Sequence, residues 1–172
     1  MSSATAIGIH AKGPGGLLEG TWQPAAAGAP IVLIIPGSGP PDRDGNNPGG
    51  VAASTCRLLA EDLAARGTAS LRIDKRGMDG SRLAAADPDA VTLGDSVDDV
   101  RAWIAEIRRR DAAAPVWLLG HSEGGLVALA AAGITPDPAG MILAAGSGAR
   151  LAPCCAGSSP PTRPMPASWR RR

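Results

Sequence analysis

Five aliphatic residues in a row, Ile31-Val32-Leu33-Ile34-Ile35, stand between Pro30 and Pro36. A strand with one face in water alternates apolar and polar side chains. An unbroken run suits a strand covered on both faces, which requires packed layers above and below a sheet. The rest of the sequence supplies those layers. Ala52, Cys56, Leu59 and Leu63 recur at helical spacing ahead of Gly67, and Ala69 to Asp74 reads as a strand. Leu93, Val97, Val100, Ile104 and Ile107 make the clearest helical stripe. Asp95, Asp98 and Asp99 lie near its start and Arg108, Arg109 and Arg110 at its end, as the helix dipole favours. Val116 to Leu119 reads as a strand, Gly124 to Ala132 as a helix and Met141 to Ala145 as a strand. Ile7 to Ile9 and Leu17 to Trp22 read as short strands about a turn at Gly13-Pro14-Gly15-Gly16. Strand and helix alternate with short links, so the expected class is α/β: a mostly parallel sheet with helices on both faces.

The 172 residues suffice for one domain. With no Phe and no Tyr, Leu, Ile, Val, Ala and four Trp must fill the core. No run approaches the length of a membrane span, and Met1 to Gly20 lacks a charged-then-apolar leader pattern. The expectation is a cytoplasmic protein without a membrane partner. Net charge is +1, unevenly placed: residues 1–148 carry 12 basic and 16 acidic residues, whereas residues 149–172 carry five Arg and no acid. The basic character belongs to the tail, so no nucleic-acid partner is expected of the body. Cys56, Cys154 and Cys155 form no C-x-x-C pair, and with His10 and His121 as the only histidines no zinc set assembles. Cys56 is expected to be a buried thiol. From Ala149 the texture changes: residues 150–172 hold five prolines and no apolar periodicity, which predicts disorder. The expected division is a body over 1–148 and a disordered, basic, Pro/Arg-rich tail over 149–172.

Gly120-His121-Ser122-Glu123-Gly124 follows the apolar run Val116 to Leu119 and precedes small residues. This is G-x-S-x-G between a strand and a helix. The sharp turn leaves no room for side chains at its flanks and lifts the serine oxygen to the carboxyl edge of the sheet. A chance match in a glycine-rich chain is the bland alternative, and the flanking elements weigh against it. Ser122 is the candidate nucleophile. A serine attacking a carbonyl creates an oxyanion, and the Glu123 N–H, at the start of the following helix, is a candidate donor to it. The Glu123 carboxylate is expected merely to suit the helix dipole. A second donor should come from the loop after the buried strand, Pro36 to Gly50; Ser38 N–H is the candidate, with Gly39 next. The alternative there is a plain turn with Asp44-Gly45 at its tip. No triad acid or histidine is identifiable. Neither histidine follows Ser122, His121 diverges from the serine on a sharp turn, and His10 reads as surface or filler. Asp74 and Arg76 are expected to tie loops together. A dinucleotide fingerprint fails because Asp42 stands at its third glycine and Pro40-Pro41 block a helix start; a P-loop fails for want of Gly-Lys-Ser/Thr. No cofactor and no metal are expected.

Three segments, Gly37-Ser38-Gly39-Pro40-x-Asp42-Arg43-Asp44-Gly45-Asn46, Leu71-Arg72-x-Asp74-Lys75-Arg76-Gly77 and Gly120-His121-Ser122-Glu123-Gly124-Gly125, resemble bacterial α/β-hydrolases of the serine esterase and serine aminopeptidase-like (S33) group. The resemblance covers about residues 5–148. It implies cofactor-free hydrolysis of a carboxylic ester or related small acyl substrate, with Ser122 acylated and the Ser38 and Glu123 N–H groups as oxyanion hole. It also implies a continuation bearing further strands, a cap, and the triad acid and histidine. Asp137 is the only acid after Glu123 and lies too early to be that acid. The expected reading is therefore the N-terminal portion of such a domain, with residues 149–172 read out of frame. The competing reading is an inactive hydrolase-like binding module. Met141 to Ala145 would then form an apolar edge inviting self-association.

Overall fold

The computed structural model describes residues 5–50, 52–135 and 138–146. Asp137, Cys154, Cys155 and the tail from 149 lie outside the described residues. Six strands among the described residues form one sheet: β1 (Ile7–Gly13), β2 (Gly16–Gln23), β3 (Ile31–Ile35), β4 (Ala69–Ile73), β5 (Val116–His121) and β6 (Pro138–Ala144). Their order is β1-β2-β4-β3-β5-β6. The neighbours β4, β3, β5 and β6 run parallel, whereas β1 and β2 form an antiparallel hairpin docked antiparallel on β4. Among the described residues three α-helices connect them: α1 (Thr55–Ala65), α2 (Leu93–Arg110) and α3 (Glu123–Ile134).

The two-sided burial expected of β3 is present, with all five residues buried. Ile31, Leu33 and Ile35 join the larger core with α2 and α3, while Val32 and Ile34 pack with Ala60 of α1. Period-two alternation thus divides one apolar strand between two helical layers. Trp103 of α2 is fully buried in the larger core, which lacks Phe and Tyr. Its ring lies where Gly20 leaves space: a Cβ there would be 3.0 Å from it. The α2 start carries a capping box, Thr92 accepting from the Asp95 N–H and Asp95 accepting from the Thr92 N–H.

The structure adjusts several sequence boundaries. α1 begins at Thr55, so Ala52 precedes it, and Cys56 is half-buried rather than buried because it packs at the margin of the smaller core. Two 3-10 turns, Asp79–Ala84 and Pro88–Ala90, occupy a stretch without apolar periodicity. β6 pairs with β5 and with no other strand among the described residues. Met141, Ile142 and Leu143 are 40%, 43% and 49% exposed.

Candidate active site

β5 ends in the elbow. Ser122 has φ 52° and ψ −118°, outside the regions that non-glycine residues favour, and α3 starts at the next residue. The two motif glycines are there for contact reasons. A Cβ at Gly120 would collide with the Gly124 carbonyl, and one at Gly124 with the carbonyl oxygens of Ile35 and Pro36. The turn is held by the Ser122 N–H donating to the Ala144 carbonyl at 2.8 Å and by the Gly125 N–H donating to the Ser122 carbonyl at 3.0 Å. A serine in the N-cap position ordinarily turns its oxygen back onto the helix N–H groups. Ser122 makes no such bond and is partly exposed.

The loop after β3 meets the elbow. A Cβ at Gly37 would lie 3.1 Å from the Ser122 Cβ and 3.1 Å from His121 Nδ1. Ser38 and Gly39 follow, exposed, with Gly39 at φ 79°. Neither the Ser38 nor the Glu123 N–H donates to another group among the described residues. These N–H groups and Ser122 therefore come from two adjoining backbone segments, the loop after β3 and the elbow after β5. His121 is exposed and makes no hydrogen bond to Ser122 among the described residues. His10 sits on β1, 3.9 Å from Glu19 and far along the sheet order from β5.

The remainder of the β3–α1 loop is braced by charge. Asp42 accepts from the N–H groups of Asp44 and Asn46 at 2.9 and 2.8 Å and from the Asn46 side chain at 2.9 Å. Gly45, at φ 88°, turns the tip. Asp74 accepts from the Arg43 N–H at 3.0 Å and pairs with its guanidinium at 2.9 Å, while Arg43 also reaches Glu19. Arg72 pairs with Asp44 at 3.0 Å. Arg76 bridges Asp95 and Asp99 at 3.0 and 2.7 Å, fixing the β4 exit loop to α2. Burial pushes the Asp74 carboxyl up despite the attraction of Arg43.

Lys75, between Asp74 and Arg76, stands in the second resembling segment but has no role assigned from the sequence. The half-buried Lys75 ammonium donates to the Gly37 carbonyl at 2.8 Å and to the Gly39 carbonyl. Burial lowers its pKa, and the nearby Glu123 carboxylate works against that shift. Glu123 is exposed, so its carboxylate has a charged neighbour in addition to the helix dipole.

Ser38, Gly39, Lys75 and Glu123 border a cavity of about 380 Å³ whose apolar wall includes Ile35 and Val127. A larger depression of about 710 Å³, between the β1–β2 turn and α2, includes none of these residues. No group of three or more His, Cys, Asp or Glu among the described residues could hold a metal ion. No helix among them is long and apolar enough to cross a membrane.

The layered sheet and the strand–serine–helix elbow define the α/β-hydrolase fold. The family model for serine aminopeptidase, S33, matches residues 50–156, more than half of the chain. The protein belongs to that family. Solved structures agree on the fold. Dienelactone hydrolase from Anabaena variabilis superposes with a TM-score of 0.69 at 20% identity, covering 84% of this chain and 65% of that one. The α/β-hydrolase GrgF from Penicillium sp. sh18 gives 0.68 at 20% identity, covering 83% and 46%. A Pyrococcus furiosus esterase gives 0.63 at 19% identity, covering 79% and 50%. The chain thus spans from under half to just under two thirds of the length of these structures. No curated protein matches the sequence.

Proposed function

We propose that the protein is an acyl-serine hydrolase acting on carboxylic esters or related small acyl compounds, without a cofactor. The observation that carries this is Ser122 itself: an N-cap serine with positive φ whose hydroxyl caps nothing and whose Cβ lies beside the Gly37 loop. In the proposed reaction Ser122 Oγ attacks the acyl carbon. The carbonyl oxygen becomes negative and accepts from the Ser38 and Glu123 N–H groups. The alcohol departs with a proton, and water then releases the acid from Ser122. The hydroxyl proton needs an acceptor, and neither histidine of the sequence follows Ser122.

That last observation favours a second reading, a hydrolase-like module that binds an acyl compound without efficient turnover. A site lacking triad members keeps about 10³- to 10⁴-fold catalysis over water from its oxyanion hole and binding. A fluorophosphonate probe separates the two. Strong labelling that disappears in Ser122→Ala, with short-chain p-nitrophenyl ester hydrolysis lost in parallel, is the expected result. A probe that fails to label the native chain would leave the binding module as the reading to keep. Location in the cytoplasm, and self-association through the β6 edge, belong to the same proposal.

A further inference from the structure

Lys75 has no part in the reaction as written, yet its cation is turned inward. It follows β4, and the order β2-β4-β3-β5 sets β4 beside β3. The ammonium therefore arrives at the loop that leaves β3 and meets two carbonyl oxygens there, those of Gly37 and Gly39. A lysine that served only solubility would keep its head in water, whereas Lys75 is half-buried. The Gly37 oxygen belongs to the same peptide group as the Ser38 N–H. Among the described residues no peptide bond is cis, so these two dipole ends point in opposite directions. Anchoring the oxygen therefore aims the N–H.

We propose that Lys75 is a positioning residue: by holding the Gly37 and Gly39 carbonyls, its ammonium keeps the Ser38 N–H turned toward the Ser122 side. This rests on the reading that Ser38 N–H is an oxyanion donor. Three features of the site require such a device. Gly37 and Gly39 flank Ser38, so the backbone has little stiffness of its own. Ser38 is exposed and its N–H has no other partner among the described residues to fix it. Gly39 precedes Pro40, so the peptide that carries the Gly39 oxygen has no N–H, and tying that oxygen immobilises the segment without using up a donor. A cation on the Gly37 oxygen also polarises the peptide and strengthens the Ser38 N–H as a donor. Lysine suits this role because a compact ammonium offers three donors, enough for two carbonyls that a planar guanidinium would have to straddle.

The test uses the full chain with Lys75→Met, which keeps the stem and removes the donors, and Lys75→Arg, which keeps the charge. The first measurement is Ser122-dependent ester hydrolysis and fluorophosphonate labelling. In K75M, kcat and the labelling rate fall about 100-fold, the scale of a misplaced catalytic group, while KM stays within about twofold. The second is the ¹⁵N order parameter of the Ser38 amide, with the paired, buried Leu33 amide of β3 as internal comparison. It is about 0.85 for Ser38 in the native chain and below about 0.6 in K75M. If K75M loses its cooperative melt, K75R carries both measurements. An unchanged Ser38 order parameter in a folded variant, or a Ser38 amide already disordered in the native chain, overturns the proposal. So does K75M labelling at the native rate. If the native chain shows no Ser122 labelling, the hydrolase reading fails, and the order parameters still decide whether Lys75 holds the loop.

Discussion

Ser122 occupies a helix N-cap and contributes no cap. A non-glycine residue at such a φ costs about 1–3 kcal/mol, and here that cost accompanies a hydroxyl that caps nothing. Ser122→Gly removes the strain and loses about 0.5–1 kcal/mol through greater freedom of the unfolded chain. The strain term is the larger, so the variant should gain about 1 kcal/mol. That corresponds to a rise of about 2–4 °C in melting temperature for a chain of this size. A calorimetric melt checks it; a lower midpoint for Ser122→Gly would mean that the turn is not strained. The elbow was legible in sequence because its constraints are local. Gly120 and Gly124 are forced by atoms a few residues away or on the adjacent strand, and the G-x-S-x-G spacing records that crowding. Lys75 was not legible. Its partners lie 38 and 36 residues earlier, and only the pairing of β3 with β4 brings them together.

At the level of elements, β3 and α2 were readable because their periods are strong and their ends marked. Ile31 to Ile35 fell as expected, and the α2 stripe from Leu93 to Ile107 lies inside the observed helix. The first two strands proved longer than Ile7 to Ile9 and Leu17 to Trp22, because hairpin pairing extends them across positions whose side chains alternate between wet and dry. The 3-10 turns after β4 escaped notice since single turns carry no periodicity. β6 is the element with most consequence for behaviour in solution. Its residues Met141, Ile142 and Leu143 are apolar and at least 40% exposed, and its outer side pairs with no strand among the described residues. Such an edge templates association with another chain. The native chain is expected to sediment as oligomers, and Ile142→Lys to shift it toward monomer without loss of helical signal. Equal sedimentation of the two proteins would show that association does not use this edge.

Across the whole molecule, the charges that brace the loops set the response to acid. The Asp42 carboxyl is pushed up by partial burial but pulled down further by its hydrogen bonds from Asn46, Asp44 and Gly45, ending below the ordinary aspartate value. The Thr92 hydrogen bonds lower Asp95, and those of Arg109 and Arg110 lower Glu106. A carboxylate depressed in the folded state contributes stability above its unfolded pKa and loses it as pH falls through the folded value. The window here lies below about pH 4. Asp74 and Asp99 act in the opposite sense, burial raising both ahead of their arginine partners. Comparing the native chain with Asp42→Asn removes that contribution, because both proteins share it. The variant keeps an acceptor oxygen and cannot titrate, so its urea midpoint should drop less between pH 4 and 2. Parallel pH profiles for the two proteins would place the acid response elsewhere.

The hydrogen bond from the Ser122 N–H to the Ala144 carbonyl joins the last residue of β6 to the backbone of the candidate nucleophile. The last described strand and the candidate nucleophile thus share one backbone anchor. Fraying of β6 would release the serine from behind, and a chain that docked along its open side would clamp it, so that assembly and reactivity would rise and fall together.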